Sequence, residues 1–170
     1  MTNKEKRCDS YNKLINDIKD YSEEEKLIRV NNFFNQIFYI KDSEQYKVKD
    51  YWASREETIN SGMADCEDYV IAKFHTLLDL GVDEEKLYLC YCILKGQEHH
   101  TVLLYYDKEN SYPIVLDNYN KRMVCLPDRE DMSPVYAFNT SRAFIQKNKK
   151  GKELNVEKIN NVKKLRNLIK

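Results

Sequence analysis

The chain has 170 residues, with 28 basic side chains against 28 acidic ones. That is the length of one domain able to bury a sizeable core. A hydrophobic share of 42% beside a charged share of 33% excludes a disordered chain, and a net charge of zero argues against a dedicated nucleic-acid binder. Four Gly and three Pro exclude collagen-like and Pro-rich chains, and no apolar run is long enough to span a membrane.

Residues 11–21 carry Leu14, Ile15 and Ile18 at the spacing of a short amphipathic helix. Ser22 followed by Glu25 is a capping-box pattern. It opens a helix with Leu27, Val30 and Phe34 on one stripe. Residues 41–50 are polar and read as a loop. Ser54 and Glu57 repeat the capping pattern, and Gly62 is placed to stop the helix they open. Asp65-Cys66-Glu67-Asp68 then starts the most apolar helix, with Val70, Ile71, Phe74, Leu77 and Leu78 in register and Gly81 at its expected end.

The period changes after Gly81. Residues 87–94, 101–106 and 112–119 read as strands, with turn residues 107–111 between the last two. Residues 135–138 suggest a fourth. Helices followed by a run of antiparallel strands give an α+β fold. Residues 147–170 hold nine basic residues against two acidic ones, with an apolar stripe of Val156, Ile159, Val162, Leu165 and Ile169. The expected organisation is a domain over 1–146 and a basic C-terminal helix over 147–170 packed on it. The Lys face of that helix reads as solvated, with an anionic partner or a membrane surface as the sharper alternative.

Five cysteines are an odd number, so at least one stays outside an intramolecular disulfide. Cys66 falls in the first turn of the apolar helix, where unpaired N–H groups and the helix dipole favour a thiolate. Its neighbours Asp65, Glu67 and Asp68 oppose that charge, and a bound cation would resolve the conflict. A nucleophilic Cys needs a base. His75 lies nine residues further along the same helix, too far to serve, and reads as structural. With the hairpin turn centred on Lys108 and Glu109, His100 falls opposite Asp117 and on its face, while His99 points the other way. The spacing therefore selects Cys66 as nucleophile, His100 as base and Asp117 as its orienting acid. Cys90 and Cys92 with His99 and His100 form a competing zinc pattern, against a bland reading as core cysteines.

These residues resemble the bacterial transglutaminase-like cysteine peptidases, the LapG type of adhesin protease. The resemblance rests on KLIRVNNFFN (26–35), DYWASREETINSGMADCEDYVIAKFHTLLDLGV (50–82), HTVLLYY (100–106), VLDN (115–118) and PVYAFN (134–139). It implies a papain-like or transglutaminase-like core with the triad on Cys66, His100 and Asp117. It implies calcium beside the nucleophile on Asp65 and Glu67, with Asp68 as a further ligand. A large surface adhesin is the implied substrate, cut in its N-terminal region to release a biofilm. An inner-membrane cyclic-di-GMP receptor is the implied partner, and the implied location is periplasmic. The polar start, Met1 to Lys6, lacks the apolar stretch of a signal peptide, which reads as cytoplasmic if the sequence is complete.

Two other functions use the same residues. An acyltransferase or transamidase would replace water with an amine. A non-catalytic calcium-binding module would not need Cys66, His100 and Asp117 together. The oxyanion would meet the Cys66 N–H and a second donor that the sequence does not identify. Trp52 reads either as a cleft wall or as a core anchor.

Overall fold

The computed structural model describes residues 2–108, 111–147 and 150–170. Helix α1 (Asn3–Ile18) starts well before the apolar stretch that announced it, because Thr2 and Glu5 close a capping box at its head. Helix α2 (Glu23–Phe34) is capped by Ser22 and buries Leu27, Val30 and Phe34. A two-residue strand β1 (Phe38–Tyr39) follows, and then a short helix α3 (Asp42–Gln45) inside the stretch expected to be loop. Helix α4 (Arg55–Ser61) carries the Ser54–Glu57 box and ends on Gly62. Strand β2 (Met63–Ala64) lies parallel to β1, and helix α5 (Cys66–Asp79) begins two residues beyond it.

The strands β3 (Leu87–Leu94), β4 (His99–Tyr105), β5 (Ile114–Leu116), β6 (Val124–Cys125), β7 (Met132–Phe138), β8 (Ala143–Lys147) and β9 (Lys150–Glu153) form one antiparallel sheet. Their order is β6-β5-β4-β3-β7-β8-β9. Helix α6 (Asn160–Leu168) closes the chain. This is the expected α+β arrangement, and among the described residues no helix is long and apolar enough to cross a membrane.

Helix α5 is the centre of the core because its face alternates at helical period without interruption by solvent-seeking residues, Lys73 excepted. Val70, Ile71, Phe74 and Leu77 pack with Leu87, Leu89, Leu103, Leu116 and Phe138 of the sheet. The opposite sheet face carries a smaller cluster of Tyr88, Cys90, Cys92, Val102, Leu104, Val115 and Met132. Full burial of one such side chain is worth roughly 1.5–3 kcal/mol, so apolar packing on both faces stabilises the sheet.

Three expectations change. The third strand is only Ile114–Leu116, so Asp117 lies one residue past its end. The basic C-terminal stretch is not one helix: β9 takes 150–153 into a hairpin with β8, and helix starts only at Asn160. Val162 and Leu165 from the expected stripe do enter the core. Its cations are partly engaged: Arg166 Nε donates to the Thr140 carbonyl at 2.8 Å, and Lys164 pairs with Asp50 at 2.8 Å above the Trp52 ring.

Gly62 makes the bend that delivers the chain from α4 into β2 and then α5. Its φ is +70°, and a Cβ there would lie 2.6 Å from Arg7 Cζ, whose guanidinium caps the Ile59 and Asn60 carbonyls. Gly62→Ala is expected to cost about 1–2 kcal/mol from the left-handed backbone, read as a lower denaturation midpoint. Part of the loss should disappear in an Arg7→Ala background, because the clash partner is then gone.

Candidate active site

The α5 N-terminus is built from acids. Asp65 is the N-cap, and its carboxylate and that of Asp68 accept each other's backbone N–H. Asp68 is fully buried and also takes the Ala53 N–H at 2.7 Å. Cys66 follows the cap directly. The first-turn N–H groups there have no intrahelical acceptor and face outward as donors.

The backbone N–H of Thr101, the residue after His100, is near enough to favour the charged form of the Cys66 thiol. The thiol's hydrogen bond goes to Glu67 Oε2 at 2.9 Å rather than to His100. Burial pushes this thiol well up, and the charge and hydrogen bond of Glu67 and the charge of Asp65 add to the effect, against weak help from Thr101. In this arrangement burial and the neighbouring acids favour the thiol over the thiolate.

His100 and Asp117 meet on the other side of the site. Nε2 of His100 lies 2.7 Å from Asp117 Oδ1, with both side chains buried. An ionised carboxylate only accepts, so Nε2 donates to Asp117 and Nδ1 is the ring nitrogen left outside that bond. Burial alone would raise the Asp117 carboxyl. The His100 hydrogen bond and charge, the Tyr119 N–H and the Arg129 cation outweigh it and bring it down to about 2.

The pair does not meet through the anticipated register. Leu103 faces Leu116 and Tyr105 faces Ile114, two residues away from it. Ser111 decides this, since its N–H and hydroxyl both bond the Lys108 carbonyl, which recentres the turn. An offset of two keeps each side chain on its face, so Asp117 reaches His100 diagonally.

The other singled-out residues separate cleanly. His99 is exposed and His75 pairs loosely with Asp79 at 3.9 Å. Cys90 and Cys92 sit inside the smaller apolar cluster, so the zinc pattern is not assembled. All five cysteines are free. Trp52 is 7% exposed and stacks on Phe138, as a core anchor does. A concavity of about 610 Å³ lies on the far sheet face around Tyr88, Tyr106 and Phe144, and includes none of Cys66, His100 and Asp117. The reactive groups, not the volume, locate the site.

Three carboxylates, Asp42, Asp65 and Asp68, bring ligand oxygens within 4.8 Å of one another. Asp42 comes from α3, which was read as loop, and so escaped the sequence. Glu67, expected as a ligand, stands outside this cluster and is turned to Cys66. A hard cation fits: the donors are all oxygens, and Asp42 Oδ1 and the nearby Gln45 Oε1 are buried without a partner. Burial pushes the Asp65 carboxyl up to about 9, with the charges of Glu67, Asp68 and Asp42 adding to it. Asp68 is pushed up to about 7, again first by burial.

Lys73, Asn35 and Arg129 also went unseen. Lys73 is fully buried one face-repeat beyond Cys66, and its charge on an otherwise apolar stripe was the available signal. Arg129 lies in a loop with no pattern to reveal it.

The sequence matches the model of the bacterial transglutaminase-like cysteine proteinases (BTLCP) over residues 1–138. Among solved structures, Legionella pneumophila LapG treated with EGTA is 30% identical with a TM-score of 0.88, covering 100% of this chain and 91% of its own. Calcium-bound LapG from the same organism is 32% identical with a TM-score of 0.83, covering 96% and 91%. A third LapG structure is 34% identical, with a TM-score of 0.78 over 85% and 79%. No curated protein matches the sequence.

Acids whose folded pKa is raised hold protons that the unfolded chain has released, so they lose stability as pH rises from about 4 toward the folded values of about 7 and about 9. A cation on the deprotonated cluster cancels that loss. The melting-temperature gap between calcium-loaded and chelated protein is therefore expected to widen from about pH 5 to pH 8. A scanning calorimetry series checks it, since groups remote from the cluster cancel in the difference.

Proposed function

This chain belongs to the bacterial transglutaminase-like cysteine proteinase family and is a cysteine peptidase, and we propose that Cys66 is its nucleophile, His100 its base and Asp117 the acid that orients His100. The carrying observation is a thiol at the first turn of a buried helix, near the peptide that leads out of a His100–Asp117 pair. The thiol first leaves Glu67, and His100 Nδ1 takes its proton. The thiolate attacks the peptide carbonyl, and the oxyanion meets the Cys66 N–H. His100 returns the proton to the leaving amine, and a thioester remains. Water, deprotonated by His100, hydrolyses the thioester and restores the thiol.

Calcium is the proposed metal, held by Asp42, Asp65 and Asp68 with Glu67 within reach of the same helix turn. When bound it would supply positive charge where three closely packed carboxylates repel one another and disfavour the Cys66 thiolate. The calcium-bound and EGTA-treated forms of LapG support this choice. The proposed substrate is the N-terminal region of a large surface adhesin, with release of a biofilm as the outcome. A cyclic-di-GMP receptor of the inner membrane is the proposed partner, and the periplasm the proposed location. Transamidation is the second reading, favoured by the same thioester wherever an amine outcompetes water.

Cys66→Ala is expected to abolish cleavage of N-terminal adhesin fragments from the same genome while melting stays close to wild type. Excess chelator should suppress cleavage by the unaltered protein. Mass spectrometry of products with and without an added primary amine separates the two chemistries. Cleavage surviving in the Cys66→Ala protein would sink the nucleophile assignment.

A further inference from the structure

Asp117 is held at its carboxylate by a buried cation, Arg129, and at its carbonyl by Asn35, neither of which the triad itself requires. Its Oδ2 forms an ion pair with Arg129 Nη1 at 2.9 Å, oblique to a hydrogen-bond line. Arg129 is 2% exposed, and its Nε and Nη2 make two hydrogen bonds to Asp131, at 2.7 and 2.8 Å. The Asp131 carbonyl in turn accepts the Lys95 N–H at 2.7 Å, which ties this loop to the β3–β4 hairpin. At the other end, the Asp117 carbonyl accepts Asn35 Nδ2 at 2.8 Å, and Asn35 Oδ1 accepts Lys73 Nζ at 2.8 Å.

Asp117 needs such anchorage because it stands past the end of β5, without ladder bonds of its own. A carboxylate fixed only by His100 could turn about its terminal torsion, which is broad for Asp. With Oδ2 pinned by Arg129, Oδ1 stays aimed at His100 Nε2 and at the Tyr119 N–H. The imidazole is then held in the tautomer whose Nδ1 is free for the thiol.

We propose that Arg129, braced by Asp131, is a positioning residue for the active site: it orients the Asp117 carboxylate and through it the His100 ring. This rests on the Cys66–His100–Asp117 reading. Arg129 touches neither the thiol nor a substrate, so its effect passes through Asp117. A bidentate brace suits Arg and not Lys, whose single ammonium cannot span Asp117 and Asp131 together. The groups facing the pair are Arg129 and Asp131 from their loop, Lys73 from α5, the Cys92 thiol from β3 and the Tyr119 N–H.

The test is the rate of iodoacetamide alkylation at Cys66, followed by peptide mass spectrometry on the full chain with calcium between about pH 5 and pH 9. Exposed Cys125 in the same molecule is the reference thiol. Arg129→Met is expected to slow Cys66 at neutral pH by about ten- to a hundredfold, less than loss of a triad member. Its acid limb should move to higher pH, because removing a cation makes each proton harder to lose. Arg129→Lys should recover part of the rate, and Asp131→Ala, at a side chain 41% exposed, should lose a few-fold. A Cys66 rate and pH profile unchanged in Arg129→Met would overturn the proposal. If that variant does not fold, an unchanged profile in Asp131→Ala overturns it instead. His100→Ala separates the two levels: if it too leaves Cys66 alkylation unchanged, the triad reading fails, and if it alone slows the thiol, only the Arg129 role fails.

Discussion

The buried Asp68 carboxylate is the constraint from which the site takes its shape. It has no exposure, and it spends its oxygens on the Ala53 and Asp65 N–H groups. Those two bonds join the chain entering α4 to the first turn of α5. They fix where Cys66 emerges, and they bring Asp68 and Asp65 beside Asp42. An unpaired buried carboxylate is costly, so the local fold holds together only where backbone donors converge on it. The position of Cys66 is a by-product of satisfying that one side chain.

The carboxylates of the site live in opposite fields. Asp42, Asp65 and Asp68 are packed against one another, and burial drives Asp65 and Asp68 upward. Asp117 is equally buried, yet His100, Tyr119 and Arg129 carry it down to about 2. Its neighbour Lys73 is brought down to about 7 by burial, against the pull of Asp117. The two clusters flank Cys66 and the peptide beside His100. One is a cluster of acids alone, while the other has protein cations beside its carboxylate. The division follows from residue type: His100 and Arg129 supply the positive charge at Asp117, while the described residues that act on Asp65 by charge are other acids.

Much of this was legible from local patterns. The Ser22 and Ser54 caps, the Gly62 and Gly81 stops and the strand Leu87–Leu94 came from spacing and turn chemistry acting within a few residues. The His100–Asp117 proximity emerged from parity alone, and it survived a register error because an even slip preserves the face. Asp42 was hidden because four residues of helix in a polar stretch leave no periodic trace. The β8–β9 hairpin was hidden because a run of lysines with a later apolar stripe mimics one long helix. Glu67 was read as a ligand from its place in the motif, whereas the fold turns it to the neighbouring thiol.

Balanced charge in the composition concealed an uneven distribution. The sequence by itself determined the α+β order, the capped helix that presents Cys66 and the strand faces bearing His100 and Asp117, because those depend on periodicity and on neighbours a turn or a pleat away. Only the tertiary structure decided which acids cluster together, which form of Cys66 its surroundings favour, and that Arg129 and Asn35 hold Asp117. Those partners lie on separate elements, and no local spacing records which loops meet once the core closes around α5.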